Sequence, residues 1–176
     1  MIVTSFPLPH ECSAGGWASF SLNRTYRWGL GRQWDDRKMQ MTFVMLNPSS
    51  AGCLNDDPTI RKCIGFANRH GCGGIEVVNL FGLVSTDPKG LLKVEDPVGP
   101  CNDTALRWAM ARPLVVAAWG RFPKKLRKAI QPISSIPAGG LRCFGVTKDG
   151  QPRHPLMLAY STRLQDLDPV AFRDLS

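Results

Sequence analysis

The chain has 176 residues, 43% of them hydrophobic and 20% charged, which suits one folded domain and argues against wholesale disorder. Twenty-two Lys and Arg residues against 14 Asp and Glu residues give a net charge of +8, an excess that favours a polyanionic partner, nucleic acid first. No apolar run approaches the ~20 residues of a membrane span, and the N-terminus lacks the pattern of a signal peptide. We therefore expect one cytoplasmic domain over residues 1–176, acting as a monomer away from membranes.

The six cysteines are irregularly spaced and form no Cys-x-x-Cys pair, which is typical of reduced thiols in a cytosolic protein. A metal site that uses His10, Cys12, His70 or Cys72 is the weaker alternative, because the ligand spacing matches no standard zinc or iron–sulfur pattern. The chain also lacks a dinucleotide-binding glycine motif, a Walker-type loop and a Gly-x-Ser-x-Gly elbow. We expect neither a metal nor a cofactor.

Residues 26–34 mix aromatic and basic side chains. The pattern predicts a strand pair or an edge strand with a glycine-containing turn at residues 29–31, within an N-terminal extension over residues 1–40. The aromatic residues could cover the core or face a nucleic-acid groove. We favour the first, because the segment precedes the core strands and can cover a sheet edge.

Short apolar runs alternate with helical patterns over the rest of the chain. Continuous apolarity predicts strands buried on both faces at residues 42–46, 75–80, 114–119 and 141–146. Asp57 and Pro58 predict the start of one helix, and Asn102 or Asp103 that of a second. A basic amphipathic helix is predicted over residues 122–131, with a short final helix after residue 155. This alternation predicts an α/β fold with a mostly parallel sheet covered by helices on both faces.

Polar residues stand at the ends of the predicted strands, where ligands bind in such sheets. Asn47, Asn79, Gly120 and the loop 148–154 all lie at these ends. We therefore expect them to meet at one edge of the sheet.

Three of these residues are candidates for chemistry, each with a structural alternative. Pro48 restricts Asn47, which could simply belong to a polar turn. Asn79 needs hydrogen bonds inside a buried strand. Its amide suits the edge of a base, and it could equally be a structural residue that bonds the neighbouring loop. His154 lies between Pro152 and Pro155 and could equally be structural.

Three motifs, in order, carry a resemblance: Leu46-Asn47-Pro48-Ser49, Val78-Asn79-Leu80 and His154-Pro155. Together they resemble the uracil-DNA glycosylase superfamily, the first motif being similar to the Asn-Pro turn of its mismatch-specific thymine/uracil branch. The longer stretch 26–155 is similar to a bacterial and phage domain family of unknown function. The shared features are the turn 45–49, the helix start 56–61, the strand 78–81 and the loop 148–155.

The resemblance implies a three-layer α/β/α sandwich around a central four-stranded, mostly parallel sheet, with the N-terminal strand pair added. It implies that Asn47 positions the attacking water, that Asn79 reads the edge of a flipped base, and that His154 stabilises the departing base. The further residues implied to contact the base are Pro48, Ser49 and Phe81. The residues expected to bind DNA phosphates are Ser50, Arg61, Lys124, Lys125, Lys148 and Arg153.

The expected function is a monofunctional DNA glycosylase that hydrolyses the N-glycosidic bond of a flipped uracil, mismatched or modified base in double- or single-stranded DNA. Three departures are visible. The iron–sulfur cysteine pattern of some branches is missing, and two motif residues differ. Asn47 stands where uracil-specific enzymes carry an aspartate, and an amide is a poor base. Leu156 replaces the usual Ser after His-Pro. The alternatives are a non-catalytic nucleic-acid-binding module on the same fold and a hydrolase of free nucleosides or nucleotides.

Overall fold

Within the described residues, one mixed sheet of eight strands, in the order β1-β2-β3-β5-β4-β6-β7-β8, forms the centre of the fold. The computed structural model describes residues 6–127 and 140–168. The strands are β1 (Glu11–Ser13), β2 (Gly16–Phe20), β3 (Arg27–Gln33), β4 (Gln40–Met45), β5 (Gly74–Asn79), β6 (Val115–Ala117), β7 (Leu141–Cys143) and β8 (Gln165–Leu167). The helices are α1 (Pro58–Arg69), α2 (Asn102–Met110) and α3 (Lys124–Arg127), with 3₁₀ turns at Pro88–Lys93 and Pro155–Met157.

The α/β class is confirmed, but the sheet is larger and more mixed than the four-stranded sheet predicted. Strands β5, β4, β6 and β7 pair in parallel. Antiparallel strands extend this group on both sides, β3, β2 and β1 beyond β5 and β8 beyond β7. The N-terminal segment is therefore part of the same sheet.

The predicted turn at residues 29–31 is wrong, because β3 runs without a break from Arg27 to Gln33. Its glycines serve close packing. A Cβ atom on Gly31 would lie 2.0 Å from Nε1 of Trp17, and one on Gly29 would lie 2.7 Å from Cζ of Phe6. Two aromatic rings thus lie directly on the backbone of β3, which leaves no space for side chains there.

Helices cover both faces of the sheet, as the alternation of elements predicts. Successive residues of a strand point to opposite faces. Phe43 accordingly packs in one buried cluster with Phe66 of α1, and Val44 packs in the other with Ala109 of α2. Within the described residues, no helix is both long and apolar enough to cross a membrane.

Helix α1 begins as predicted, with Oδ1 of Asp57 accepting a hydrogen bond from the Ile60 N–H at 2.8 Å. Helix α2 begins differently. Its N-cap is Cys101, at a φ of 62° and without a capping side chain. Asn102 turns inward and donates to the backbone carbonyls of Asn79 and Leu80, at 3.0 and 3.1 Å. Neither Asn102 nor Asp103 is therefore the cap, because Asn102 fastens α2 to the end of β5.

The end of the chain also differs from the prediction. The short final helix is one 3₁₀ turn, Pro155–Met157, and the strand β8 that follows was not predicted. Of the basic helix predicted over residues 122–131, Lys124–Arg127 is helical, and residues 128–131 lie outside the described residues.

Candidate functional site

A pocket of about 250 Å³ opens at the carboxyl ends of the parallel strands. Strand β5 lies on one side of β4 and β6 on the other, and the point where strand order reverses in this way is where open α/β sheets bind ligands. The residues of the pocket that the sequence had singled out are Asn47, Ser49, Asn79, Gly120 and His154. The principal residues it had not assigned to a site are Arg27, Asp57, Trp119 and Arg121.

Asn79 ends β5 and forms part of the pocket wall. The residue is 1% exposed, yet neither Oδ1 nor Nδ2 has a hydrogen-bond partner among the described residues. A buried polar group without a partner costs about 1–3 kcal/mol. The Asn79 side chain is thus available to a ligand that brings both an acceptor and a donor.

Asn47 holds two loops together. Its Nδ2 donates to the carbonyl oxygen of Pro48 at 3.1 Å and to that of Ser85 at 2.7 Å. The Ser85 N–H in turn donates to the Pro48 carbonyl at 2.9 Å. The Pro48 carbonyl therefore belongs to this loop contact, and Pro48 is not among the residues that line the pocket. With the Asn47 nitrogen engaged, its oxygen is the atom left to accept a hydrogen bond.

His154 precedes the 3₁₀ turn and accepts a hydrogen bond at Nδ1 from the Leu156 N–H at 3.3 Å. In a neutral imidazole this places the proton on Nε2. Burial lowers the pKa of His154, and the charge of Asp57 opposes that shift only in part. The side chain is therefore a neutral hydrogen-bond donor at pH 7.

The backbone of Gly120 lies unusually close to the side chain of His154. A Cβ atom on Gly120, which has a φ of +70°, would lie 3.1 Å from Cβ of His154. Glycine both adopts this φ without strain and leaves room for the loop that carries the histidine. The Gly120 turn after β6 thus helps to seat His154 in the pocket.

Asp57 brings a carboxylate into the pocket. One of its oxygens caps α1, and the other accepts a hydrogen bond from the Ser49 hydroxyl. The sequence identified Asp57 only as an N-cap. What it did not reveal is that residues 46–57 turn back, so that the start of α1 faces the end of β4.

Arg27 adds a buried cation. The residue is 3% exposed, donates from Nη1 to the Ala51 carbonyl at 2.7 Å, and has no partner for Nε among the described residues. Desolvation lowers the pKa of Arg27 to about 10, against the opposing effect of Asp57. The guanidinium therefore stays charged at pH 7.

Phe81 does not fit the predicted role of contacting a base. Its side chain is fully buried in the core, with its ring centroid 6.2 Å from that of Phe122, and it does not line the pocket. The aromatic residue that lines the pocket is Trp119, whose Nε1 donates to Oε1 of Gln151 at 3.0 Å. Although Phe81 lies close to Asn79 in sequence, its side chain belongs to the core.

The residues predicted to bind phosphate are exposed, and none lines the pocket: Ser50, Arg61, Lys124, Lys125, Lys148 and Arg153. Arg61 donates from Nη1 to the Asp56 carbonyl at 2.5 Å. Lys148 and Arg153 share the loop that carries His154. Arg121, which was not predicted, lines the pocket and pairs with Asp149 at 3.2 Å.

Potential metal ligands do not gather in the part of the chain that the structure describes, where no three His, Cys, Asp or Glu side chains could hold an ion. Of the alternative metal site, His70 and Cys72 follow α1. Desolvation raises the pKa of Cys72. A thiol held in its protonated form is a poor metal ligand.

Residues 27–156 match a family model described as "Protein of unknown function (DUF1643)". The matched span begins at Arg27 and includes every residue that lines the pocket. No match is found among curated proteins or among solved structures.

Proposed function

This chain belongs to the DUF1643 family of proteins of unknown function, and we propose that it is a DNA glycosylase that hydrolyses the N-glycosidic bond of a flipped base. The base is uracil, a mismatched pyrimidine or a modified pyrimidine. The observation that carries the proposal is the Asn79 amide, which is buried in the pocket wall with both polar atoms unpartnered.

An amide places a donor and an acceptor side by side, and the edge of a pyrimidine offers the complementary pair. A base that entered the pocket would give Asn79 the two hydrogen bonds that it lacks. The pocket volume of about 250 Å³ lies just below the ~300–1,000 Å³ typical of sites for drug-sized molecules. That size supports a site for one heterocycle rather than for a larger ligand.

The other pocket residues suit bond cleavage. Breaking the N-glycosidic bond builds negative charge on the base, and a hydrogen-bond donor aimed at that charge contributes about 3 kcal/mol. His154 supplies such a donor at Nε2, since Nδ1 already accepts from Leu156. Asn47 offers its side-chain oxygen to hold the attacking water.

Positive charge around the pocket supports DNA as the partner. The chain carries a net charge of +8, Lys148 and Arg153 lie on the His154 loop, and Arg121 lines the pocket. Flipping a base costs a few kcal/mol, and contacts between these side chains and the phosphates would offset part of that cost. Binding is accordingly expected to weaken with salt.

Arg27 supports a second candidate, a hydrolase of free nucleotides. Its buried guanidinium faces the pocket and forms no ion pair among the described residues, so it could receive the phosphate of a nucleotide. A non-catalytic nucleic-acid-binding module is the third candidate, because the basic residues around the pocket would also support binding without cleavage.

A panel of substrates separates these functions. Duplexes that carry uracil, G·T mismatches, 5-hydroxymethyl or glucosylated pyrimidines are incubated with the protein and tested for abasic sites, beside the matching free nucleotides. We expect abasic sites in at least one duplex. Tight, salt-sensitive binding without cleavage would favour the binding module, and release of base from free nucleotides alone would favour the nucleotide hydrolase.

Asn47→Ala tests the proposed role of Asn47 in holding the attacking water, on a duplex that the wild type cleaves. Loss of the water-positioning oxygen is expected to slow base release by roughly 10²–10³-fold while duplex binding persists. Asn68→Ala, an exposed position on α1, is the matched control. Unchanged cleavage by Asn47→Ala would remove Asn47 from the mechanism.

A further inference from the structure

We propose that Asp57 is the general base that takes a proton from the attacking water. This role rests on the proposed glycosylase activity. It supplies the carboxylate that uracil-specific enzymes carry at the position of Asn47. Among the described residues that line the pocket, Asp57 is the one carboxylate. A carboxylate can accept the proton of a water, whereas the amide of Asn47 can only orient that water.

Asp57 is held rigidly in place. The Ile60 N–H binds Oδ1 at 2.8 Å, and the Ser49 hydroxyl binds Oδ2. The backbone holds the carboxylate from one side and the turn after β4 holds it from the other. Each oxygen of an ionised carboxylate can accept a further hydrogen bond, so these contacts orient Asp57 without exhausting it.

A capping carboxylate alone would indicate no site, but the same pocket contains independent evidence for a ligand. Asn79, 1% exposed, presents an amide with no partner for either polar atom among the described residues. Both residues line one pocket of about 250 Å³. A base bound to Asn79 would therefore place its sugar within a small space that also contains Asp57.

Three ionisable groups feel the charge of Asp57. Its charge acts to raise the pKa of Arg27 and of His154, although burial lowers both, and it adds to the effect of burial in raising the pKa of the Cys63 thiol. Asp57 and His154 line the same pocket, and we assign them different tasks. Asp57 acts on the water, and His154 acts on the departing base.

The water oxygen forms a bond to C1′ of the sugar while the bond from C1′ to the base nitrogen breaks, and its electron pair leaves with the base. Asp57 accepts the proton of the water. The Nε2–H of His154 donates a hydrogen bond to the anionic base, which then takes a proton from solvent, and Asp57 returns its proton to solvent. The products are an abasic sugar and the free base.

Asp57→Asn tests this role without removing the helix cap, because Asn and Asp are equally good N-cap residues. On a duplex that the wild type cleaves, single-turnover base release is expected to fall by roughly 10²–10⁴-fold. Duplex binding and the melting temperature should stay close to those of the wild type. Asp103→Asn, an exposed acid in the first turn of α2, is the matched control and should cleave normally.

The pH profile gives a second readout that a purely structural cap would not alter. General-base catalysis requires an ionised carboxylate, so the acid limb of the wild-type pH–rate profile should change in Asp57→Asn. Asp57→Ser also keeps a capping side chain and should behave in the same way. If neither variant folds, a wild-type rate that stays constant into acid would overturn the proposal.

The outcomes separate the two proposals. If Asp57→Asn cleaves within about threefold of the wild type while Asn47→Ala is slowed by roughly 10²–10³-fold, general-base catalysis by Asp57 is excluded, and the glycosylase proposal stands. If the wild type releases no base from any duplex of the panel, both proposals fail.

Discussion

Strand β5 contains two buried polar side chains with opposite surroundings. Glu76, 6% exposed, accepts hydrogen bonds from Thr42 at 2.8 Å and from Nε and Nη2 of Arg112 at 3.0 and 2.9 Å. Asn79, three residues further along, is 1% exposed and has no partner for its amide among the described residues. One strand thus contains a fully bonded carboxylate in its middle and an unpartnered amide at its carboxyl end.

The comparison distinguishes a structural polar side chain, Glu76, from one that is available to a ligand, Asn79. Burial without partners is costly, and the fold supplies partners for Glu76 from β4 and from the segment after α2. It supplies none for Asn79, although the neighbouring Asn102 side chain binds the Asn79 backbone carbonyl. Proteins retain such destabilising groups at sites where a ligand provides the missing bonds.

Glu76→Ala should have the largest effect on folding. It leaves the Arg112 guanidinium without its buried carboxylate, and removing one partner of a buried pair typically costs about 3–5 kcal/mol. Because the side chain of Arg112 is 27% exposed, we expect about 3 kcal/mol, measured by urea unfolding. Glu95→Ala, at an exposed position, is the control. A loss below about 1 kcal/mol would show that the network contributes little.

Asn79→Leu should have a smaller effect of the opposite sign. Leucine has nearly the shape of asparagine and no polar atoms, so the variant is expected to be about 1 kcal/mol more stable in the same unfolding experiment. Base release should be abolished, because the amide edge is gone. Lower stability would mean that the Asn79 amide is hydrogen-bonded in the folded protein. Retained cleavage would mean that Asn79 does not read the base.

His154→Asn should have the smallest effect on stability, visible only through pH. Burial lowers the pKa of His154, so below about pH 6.5 the unfolded chain binds more protons than the folded one. The contribution of neutral His154 to the free energy of unfolding is thus fully present above that pH. It is lost as the pH falls toward the pKa of His154 in the folded protein. Asparagine can still accept from the Leu156 N–H, so the variant should lack this decline between pH 7.5 and 5. If the stability of the wild type and that of the variant depend on pH in the same way, the His154 imidazole is solvent-exposed in the folded protein.

Elements with strong local patterns were predictable. Residues 42–46 and 75–80 are continuous apolar runs, and both form buried parallel strands. The sequence Asp57-Pro58 marks the start of α1 by capping chemistry alone. Strands β1 and β8, three residues each, were missed, because they are too short to show alternation and form only by pairing with distant segments.

The candidate site was predictable in position but not in full composition. Asn47, Asn79 and His154 stand at or after strand ends, and parallel strands bring such ends together; all three line one pocket. Arg27 and Asp57 were missed as site residues. Arg27 begins a strand that joins the sheet beside β5, and this antiparallel pairing has no signal in the local sequence.

The sequence by itself determined the α/β class, the buried parallel strands and the start of α1, because these depend on residues within a few positions of one another. Tertiary structure alone decided which polar groups have partners. Asn79 and Asn102 have the same side chain and similar burial, yet Asn102 donates two hydrogen bonds while the Asn79 side chain forms none among the described residues. Hydrogen bonding inside a core depends on atoms supplied by distant parts of the chain, so no local pattern could distinguish the structural amide from the one that faces the pocket.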